Sequence, residues 1–203
     1  RNQFMACMCR PGTKNNLNRG IYKSCNTYFS NVYRRIIDKD NKVEENINNW
    51  HKHLNSFGLG NYLGYDHPVG QPGYVPNANF YNLWYPNQRW RGSTIVSNAI
   101  GQGEILMTPI QLANVAATIA NRGFFYTPHF VKDIQGDFID PKYKTKRATS
   151  ISKEHFTNVI EGMADVVSKG TARVAAIRGM EVCVKTGTME NFTEIQGVRR
   201  QLR

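Results

Sequence analysis

Lys185-Thr186-Gly187-Thr188 places a cation, two hydroxyls and a glycine in a row, directly after the alternating apolar residues Met180, Val182 and Val184. The alternation predicts a half-buried strand, with the four residues on its edge. That set suits a ligand bearing a carboxylate. The Lys185 ammonium supplies charge, Thr186 and Thr188 donate hydrogen bonds, and Gly187 lets the ligand approach the backbone. A Lys-Thr-Gly tripeptide arises by chance in roughly one in twenty chains of this size, and a strand-ending turn is the competing reading. Ser24-Cys25-Asn26 is the second candidate. Ser-x-Asn is expected close to once per chain by composition alone, and Ser24 and Asn26 both suit a helix cap. Its position gives it weight: it stands at a helix junction, well upstream of Lys185, and Thr27-Tyr28-Phe29 follow it.

The elements that must position these residues can be read from periodicity. Leu17 to Tyr22 predicts a short helix leading to Ser24. A second helix begins near Asn26, with Tyr28, Phe29, Val32, Tyr33, Ile36 and Ile37 at helical spacing. It ends in Asp38-Lys39-Asp40-Asn41, which begins like a calcium loop. Lys42 then stands where a ligand is needed, so the segment reads as a turn. Val43, Ile47, Trp50, Leu54 and Phe57 line a third helix stopped by Gly58 and Gly60. His51 and His53 on that helix are two apart and point in different directions. Residues 61–91 read as a long irregular stretch rich in proline and aromatics, which would line a groove for a polymer or cover a core. Thr108-Pro109-Ile110-Gln111 is a capping box with proline at the first helical position. Leu112, Val115, Ala116 and Ile119 are the expected buried stripe, with small residues at Ala113, Ala116, Ala117 and Ala120 for close packing. Phe124 to Val131 reads as an edge strand broken by Pro128. Ser152 is the expected cap of a last helix, whose apolar face is Phe156, Val159, Ile160, Met163, Val166 and Val167 and whose end is Gly170.

The 203 residues are 40% hydrophobic and 20% charged, enough for a packed core and not a disordered polyelectrolyte. No run of about 18 apolar residues is present. The net charge of +11 fits nucleic acid, an anionic membrane surface or an anionic polymer such as a cell wall, or simply a basic solvated surface. The densest basic groups are Lys142-Lys144-Lys146-Arg147 and Arg199-Arg200-Arg203. With no RNA-binding signature, zinc-finger spacing or P-loop, nucleic acid is not an expected partner. Cys7, Cys9, Cys25 and Cys183 read as ordinary thiols, because the Cys7-x-Cys9 pair has no further ligands at finger-like spacing. No metal and no cofactor is expected.

Ser-x-Asn followed by Lys-Thr-Gly is the order of the second and third motifs of the serine acyl-transferases that include penicillin-binding proteins and β-lactamases. The chain resembles the class B penicillin-binding proteins over nearly its whole length, and among them the penicillin-binding protein 2 type, the transpeptidases of cell elongation. Ser24-Cys25-Asn26-Thr27-Tyr28-Phe29, Phe57-Gly58-Leu59-Gly60, Ile100-Gly101-Gln102-Gly103, Thr108-Pro109-Ile110-Gln111-Leu112-Ala113 and Asn121-Arg122-Gly123 carry the similarity. The glycine-glutamine-glycine segment and the helix after it resemble transpeptidases more than β-lactamases. The resemblance implies an α+β fold, a helical subdomain with an antiparallel sheet. Residues 1–203 would be the C-terminal portion of a transpeptidase domain, helical to about residue 123, with later strands and a helix over about 124–203, and incomplete at both ends. It implies a peptidoglycan D,D-transpeptidase that crosslinks stem peptides through a serine acyl-enzyme and is trapped by β-lactam antibiotics. Ser24 would relay a proton to the leaving amine, Asn26 would hold the acyl side chain's amide, and Lys185 would polarise Ser24. Thr186, Gly187 and Thr188 would bind the terminal carboxylate with Lys185, and the Thr188 N–H would form part of the oxyanion hole. The intact protein would carry a membrane helix, face the periplasm from the bacterial inner membrane, and work beside a glycan-polymerising membrane protein.

The family's nucleophile lies in a Ser-x-x-Lys motif before Ser-x-Asn. The one such sequence here, Ser150-Ile151-Ser152-Lys153, lies far downstream at the mouth of a helix. The nucleophile is therefore expected upstream of Arg1, and without it this stretch would not acylate. Two residues depart from the family pattern: Val184 stands where glycine is usual and Met189 where a small residue is usual. Bulk there would narrow the site, which keeps open a degenerate homologue acting as a cell-wall scaffold.

Overall fold

A computed structural model describes residues 12, 14–67, 69–132, 135, 139–187, 192–195 and 198–201. Cys7, Cys9, Thr188 and Met189 lie outside the described residues, as does Arg203. The architecture is α+β. Among the described residues six α-helices, α1 (Leu17–Tyr22), α2 (Asn26–Ile37), α3 (Val43–Ser56), α4 (Ala78–Trp84), α5 (Pro109–Ala120) and α6 (His155–Ser168), accompany four short strands. Strands β1 (Phe124–Tyr126) and β2 (Lys146–Ala148) pair antiparallel, with Phe125 opposite Arg147. Strands β3 (Phe192–Ile195) and β4 (Val198–Gln201) form a separate antiparallel pair.

Two apolar clusters organise the helices. Tyr33 and Ile37 of α2, Ile47 of α3, Ala78 and Tyr81 of α4, and Trp90 and Ile95 form the larger one. Ile21 of α1, Val166 of α6 and Ala172 form the smaller, with Phe29, Met163 and Val184 against it. Helix α2 therefore touches both: Phe29 near its start joins the cluster beneath the candidate site, and Tyr33 and Ile37 anchor its far end.

Four expectations need correction. Residues 61–91 contain a helix, α4, started by Asn77, whose side chain accepts from Phe80 N at 3.1 Å. Tyr81 and Trp90 from this stretch are core residues, while Trp84 is 67% exposed. The capping box at Thr108 forms as expected, but the inward stripe of α5 is Gln111, Asn114 and Thr118, and Leu112 is 52% exposed. Polar residues turn inward because loop carbonyls await them. The two hydrogens of Gln111 Nε2 are shared among Gly58 O, Asn61 O and Pro72 O at 3.1, 3.0 and 2.8 Å, and Asn114 Nδ2 donates to Phe57 O at 3.0 Å. The strand expected over 124–131 stops at Tyr126, where β2 ends its pairing. Helix α6 starts at His155, and Ser152 contributes its carbonyl to His155 N rather than a side-chain cap.

Candidate functional site

Helices α1 and α6 cross at Gly162, where a Cβ would come within 2.8 Å of Ile21 Cδ1. That close approach brings the end of α1 beside the segment running back along α6. Residues 181–187 belong to no helix or strand. The expected strand is absent because its neighbour is a helix: Val184 N donates to Met163 O at 3.2 Å. The alternation survives only from Val182 onward, since Met180 is 65% exposed. Val182 and Val184 are half-buried, while Glu181, Cys183 and Lys185 are exposed. The Val184 side chain packs on the Ile21–Val166–Ala172 cluster, so its bulk fills core and not the face that Lys185 presents.

Ser24 ends α1 and is not the cap of α2. Ser24 N donates to Ile21 O at 3.0 Å and Cys25 N to Gly20 O at 2.9 Å, the two bonds of a Schellman motif. Ser24 occupies its left-handed position, φ +50°, which glycine normally fills and where another residue costs roughly 1 kcal/mol. Cys25, fully buried, takes the cap position of α2, and Asn26 is the first residue of that helix. Strained backbone at a polar residue held by its surroundings is the pattern of a functional position.

Lys185 and Ser24, 161 residues apart in sequence, meet here: Lys185 Nζ donates to Ser24 Oγ at 2.8 Å and to Thr186 O at 2.7 Å. Much of the lysine is exposed, but its ammonium end lies against these partners, and desolvation holds its pKa below the ordinary lysine value. The Thr186 hydroxyl lies 3.0 Å from the Thr171 hydroxyl, and among the described residues no atom beyond Gly187's own chain neighbours lies within 4 Å of where its Cβ would stand. Thr171 was not legible as a site residue, since it belongs to none of the motifs and only the fold brings it to Thr186. The arrangement offers a cation, hydroxyls and open backbone on one face, fit for an anionic ligand and for moving a proton through Ser24 Oγ.

Ser150 stands elsewhere. Its hydroxyl pairs with His53 Nδ1 at 2.7 Å and Ser56 Oγ at 3.0 Å on α3, so Ser150-Ile151-Ser152-Lys153 ties a loop to a helix. Salt-bridged Asp165 of α6 accepts from Lys169 Nζ at 2.8 Å and from Asn18 Nδ2 of α1 at 2.9 Å. Lys169 first, then Asn18, hold its pKa below the ordinary carboxylate value. Among the described residues no group of three or more metal-ligating side chains is placed to hold an ion, and no helix is long and apolar enough to cross a membrane.

Residues 8–200 match the family model described as Penicillin binding protein transpeptidase domain. Peptidoglycan D,D-transpeptidase MrdA of Acinetobacter baumannii is 29% identical over 191 residues, which are 91% of this chain and 26% of that protein. Penicillin-binding protein 2 of Helicobacter pylori, solved in complex with MreC, is 30% identical with a TM-score of 0.64, covering 87% of this chain and 30% of that one. Penicillin-binding protein 2 of Pseudomonas aeruginosa, solved with WCK 5153, is 28% identical with a TM-score of 0.65, covering 79% of this chain and 34% of that one. The chain spans about a quarter of the length of the curated relatives it matches.

Proposed function

Because the chain belongs to the penicillin-binding protein transpeptidase domain family, we propose that it supplies the second and third motifs of a peptidoglycan D,D-transpeptidase of cell elongation. The observation that carries this reading is the 2.8 Å contact between Lys185 Nζ and Ser24 Oγ, two residues named independently from the sequence. In the proposed reaction a serine of the family's Ser-x-x-Lys motif attacks the penultimate D-alanine carbonyl of a stem peptide. The amine of the terminal D-alanine takes a proton and leaves, and an acceptor amine resolves the acyl-enzyme into a crosslink.

Ser24 Oγ passes the proton to the leaving amine, and Lys185 holds and polarises that hydroxyl. The same ammonium, with the Thr186 hydroxyl, receives the terminal carboxylate of the donor peptide. Desolvation disfavours the ammonium in the empty site, and an arriving carboxylate restores it, so charge is concentrated where the ligand binds. Gly187 lets the peptide lie along the open backbone, Asn26 holds the amide of the acyl chain, and Thr188 completes the carboxylate and oxyanion contacts. The packing of Val184 into the cluster below the site removes one ground for a degenerate scaffold.

The whole protein would sit on the bacterial inner membrane, work at its periplasmic face beside a glycan-polymerising protein of the elongation machinery, and be a target of β-lactam antibiotics. The test is to incubate the complete gene product with a stem peptide ending in D-Ala-D-Ala and an acceptor amine. Release of D-alanine together with crosslinked peptide is the expected result. A folded protein that releases none would end the transpeptidase reading.

A further inference from the structure

The turn after α6 is fixed on both sides of Thr171. Before it, Gly170 lies so close to the end of α1 and to α6 that a Cβ would stand 2.5 Å from Tyr22 O and 2.7 Å from Val166 Cα. After it, Ala172 is buried in the Ile21–Val166 cluster, and its N–H donates to Val166 O at 3.0 Å. Between these anchors Thr171 is exposed, and its hydroxyl oxygen is 3.0 Å from that of Thr186. A threonine on an exposed turn has no need of such immobility for folding. It has use for it if its hydroxyl must stand at a fixed point beside a ligand.

We propose that Thr171 is a positioning residue of the carboxylate subsite, acting through Thr186; this rests on the transpeptidase reading above. A hydroxyl carries one hydrogen and two lone pairs. When Thr171 donates to Thr186 Oγ1, the Thr186 hydrogen is free and is directed outward. A carboxylate then accepts from Thr186 while Lys185 Nζ, anchored on Thr186 O and Ser24 Oγ, supplies the charge. The chain Thr171 O–H to Thr186 O–H to carboxylate polarises each bond in turn. Without the Thr171 hydroxyl, Thr186 loses the partner that sets its rotamer and directs its hydrogen. The loss is felt only by ligands that carry the carboxylate.

That selectivity separates positioning from a merely structural role. The complete protein is treated with a fluorescent penicillin as the free acid and, separately, as its neutral ester, and the second-order acylation rate is measured for each. Thr171→Val is expected to slow the free acid roughly tenfold, about the loss of one hydrogen bond to a charged group, and to leave the ester unchanged. Thr171→Ser is expected to restore the wild-type rate, because it keeps the hydroxyl. Equal slowing of acid and ester, or a Thr171→Val rate equal to wild type for the acid, would overturn the proposal. Wild-type protein that takes neither label would overturn the transpeptidase reading, and this proposal with it.

Discussion

Replacing Gly162 by alanine sets two known effects against each other at the crossing that builds the site. Inside a helix, Gly→Ala is favourable by about 1 kcal/mol, and α6 has Gly162 at its centre. The new Cβ, however, meets Ile21 Cδ1 at 2.8 Å, Cβ at 3.0 Å and Cγ2 at 3.2 Å. A rotamer change relieves the first contact and the last. It leaves the contact with Ile21 Cβ, which only a separation of α1 from α6 relieves. Ile21 is 6% exposed and packed against Val166, so that separation opens the smaller cluster. Overpacking of this kind costs about 1–3 kcal/mol. Taking the middle of that range, Gly162→Ala destabilises by about 1 kcal/mol net. Chemical denaturation of the complete protein, followed by the fluorescence of Trp50, Trp84 and Trp90, measures it. Ser24 follows Ile21 by three residues, so the same shift lengthens its contact with Lys185, and acylation by penicillin slows alongside the loss of stability. A variant that is about 1 kcal/mol more stable than wild type and acylates normally would refute the reasoning. Helix propensity would then have decided the outcome, and the α1–α6 contact would not be tight.

Gln111→Ala leaves three loop carbonyls without the buried amide that joins them and is expected to cost about 2 kcal/mol, near one for each of the two N–H donors they share, read as a lower denaturation midpoint. Ser24→Gly removes the left-handed strain and is expected to hold or raise stability, by up to about 1 kcal/mol, while penicillin acylation falls at least roughly tenfold; stability and activity move in opposite directions, and a variant losing both would contradict the Schellman reading. Lys185, with its pKa lowered by desolvation from 10.5, holds fewer protons in the folded state than in the unfolded state between the two pKa values. Stability should therefore rise with pH across that interval, and the contribution should be lost as pH falls through the folded pKa. In the same protein, acylation by penicillin should decline on the alkaline side below pH 10.5, more steeply for the free acid, which loses both the cation for its carboxylate and the polarised Ser24, than for the ester, which loses only the second.

The helices that frame the site were legible because their signals are local. The Thr108 capping box and the Gly58 and Gly60 stop each lie within one or two turns of chain, and the apolar face of α6 repeats from turn to turn along one helix. The site pair was legible for another reason: Ser24 and Lys185 stand in motifs whose order recurs in a family, and the fold places them 2.8 Å apart. What failed depends on neighbours that no local pattern records. Residues 180–184 alternate like a strand, yet Val184 N pairs with Met163 O of α6 and Met180 is exposed, so only Val182 and Val184 report burial on one side, and there is no ladder. Helix α5 looks apolar enough to bury Leu112 and Ala116, yet the partners available to it are the carbonyls of Phe57, Gly58, Asn61 and Pro72, which call for Gln111 and Asn114. Ser24 looked like a cap for the helix after it, and instead closes the helix before it, because the buried Cys25 occupies the cap. Thr171 gave no signal at all, since only tertiary structure sets it against Thr186.

The most direct test of the central claim is intact-mass analysis of the complete gene product after exposure to penicillin, beside its Lys185→Ala and Lys185→Arg variants. A single covalent penicillin adduct on wild type, lost in Lys185→Ala and strongly reduced in Lys185→Arg, is the predicted result, since a guanidinium cannot reproduce the short contact with Ser24 Oγ. An adduct that forms equally well on all three proteins, or on none of them while each remains folded, would contradict the assignment of Lys185 and Ser24 to the machinery that acylation requires.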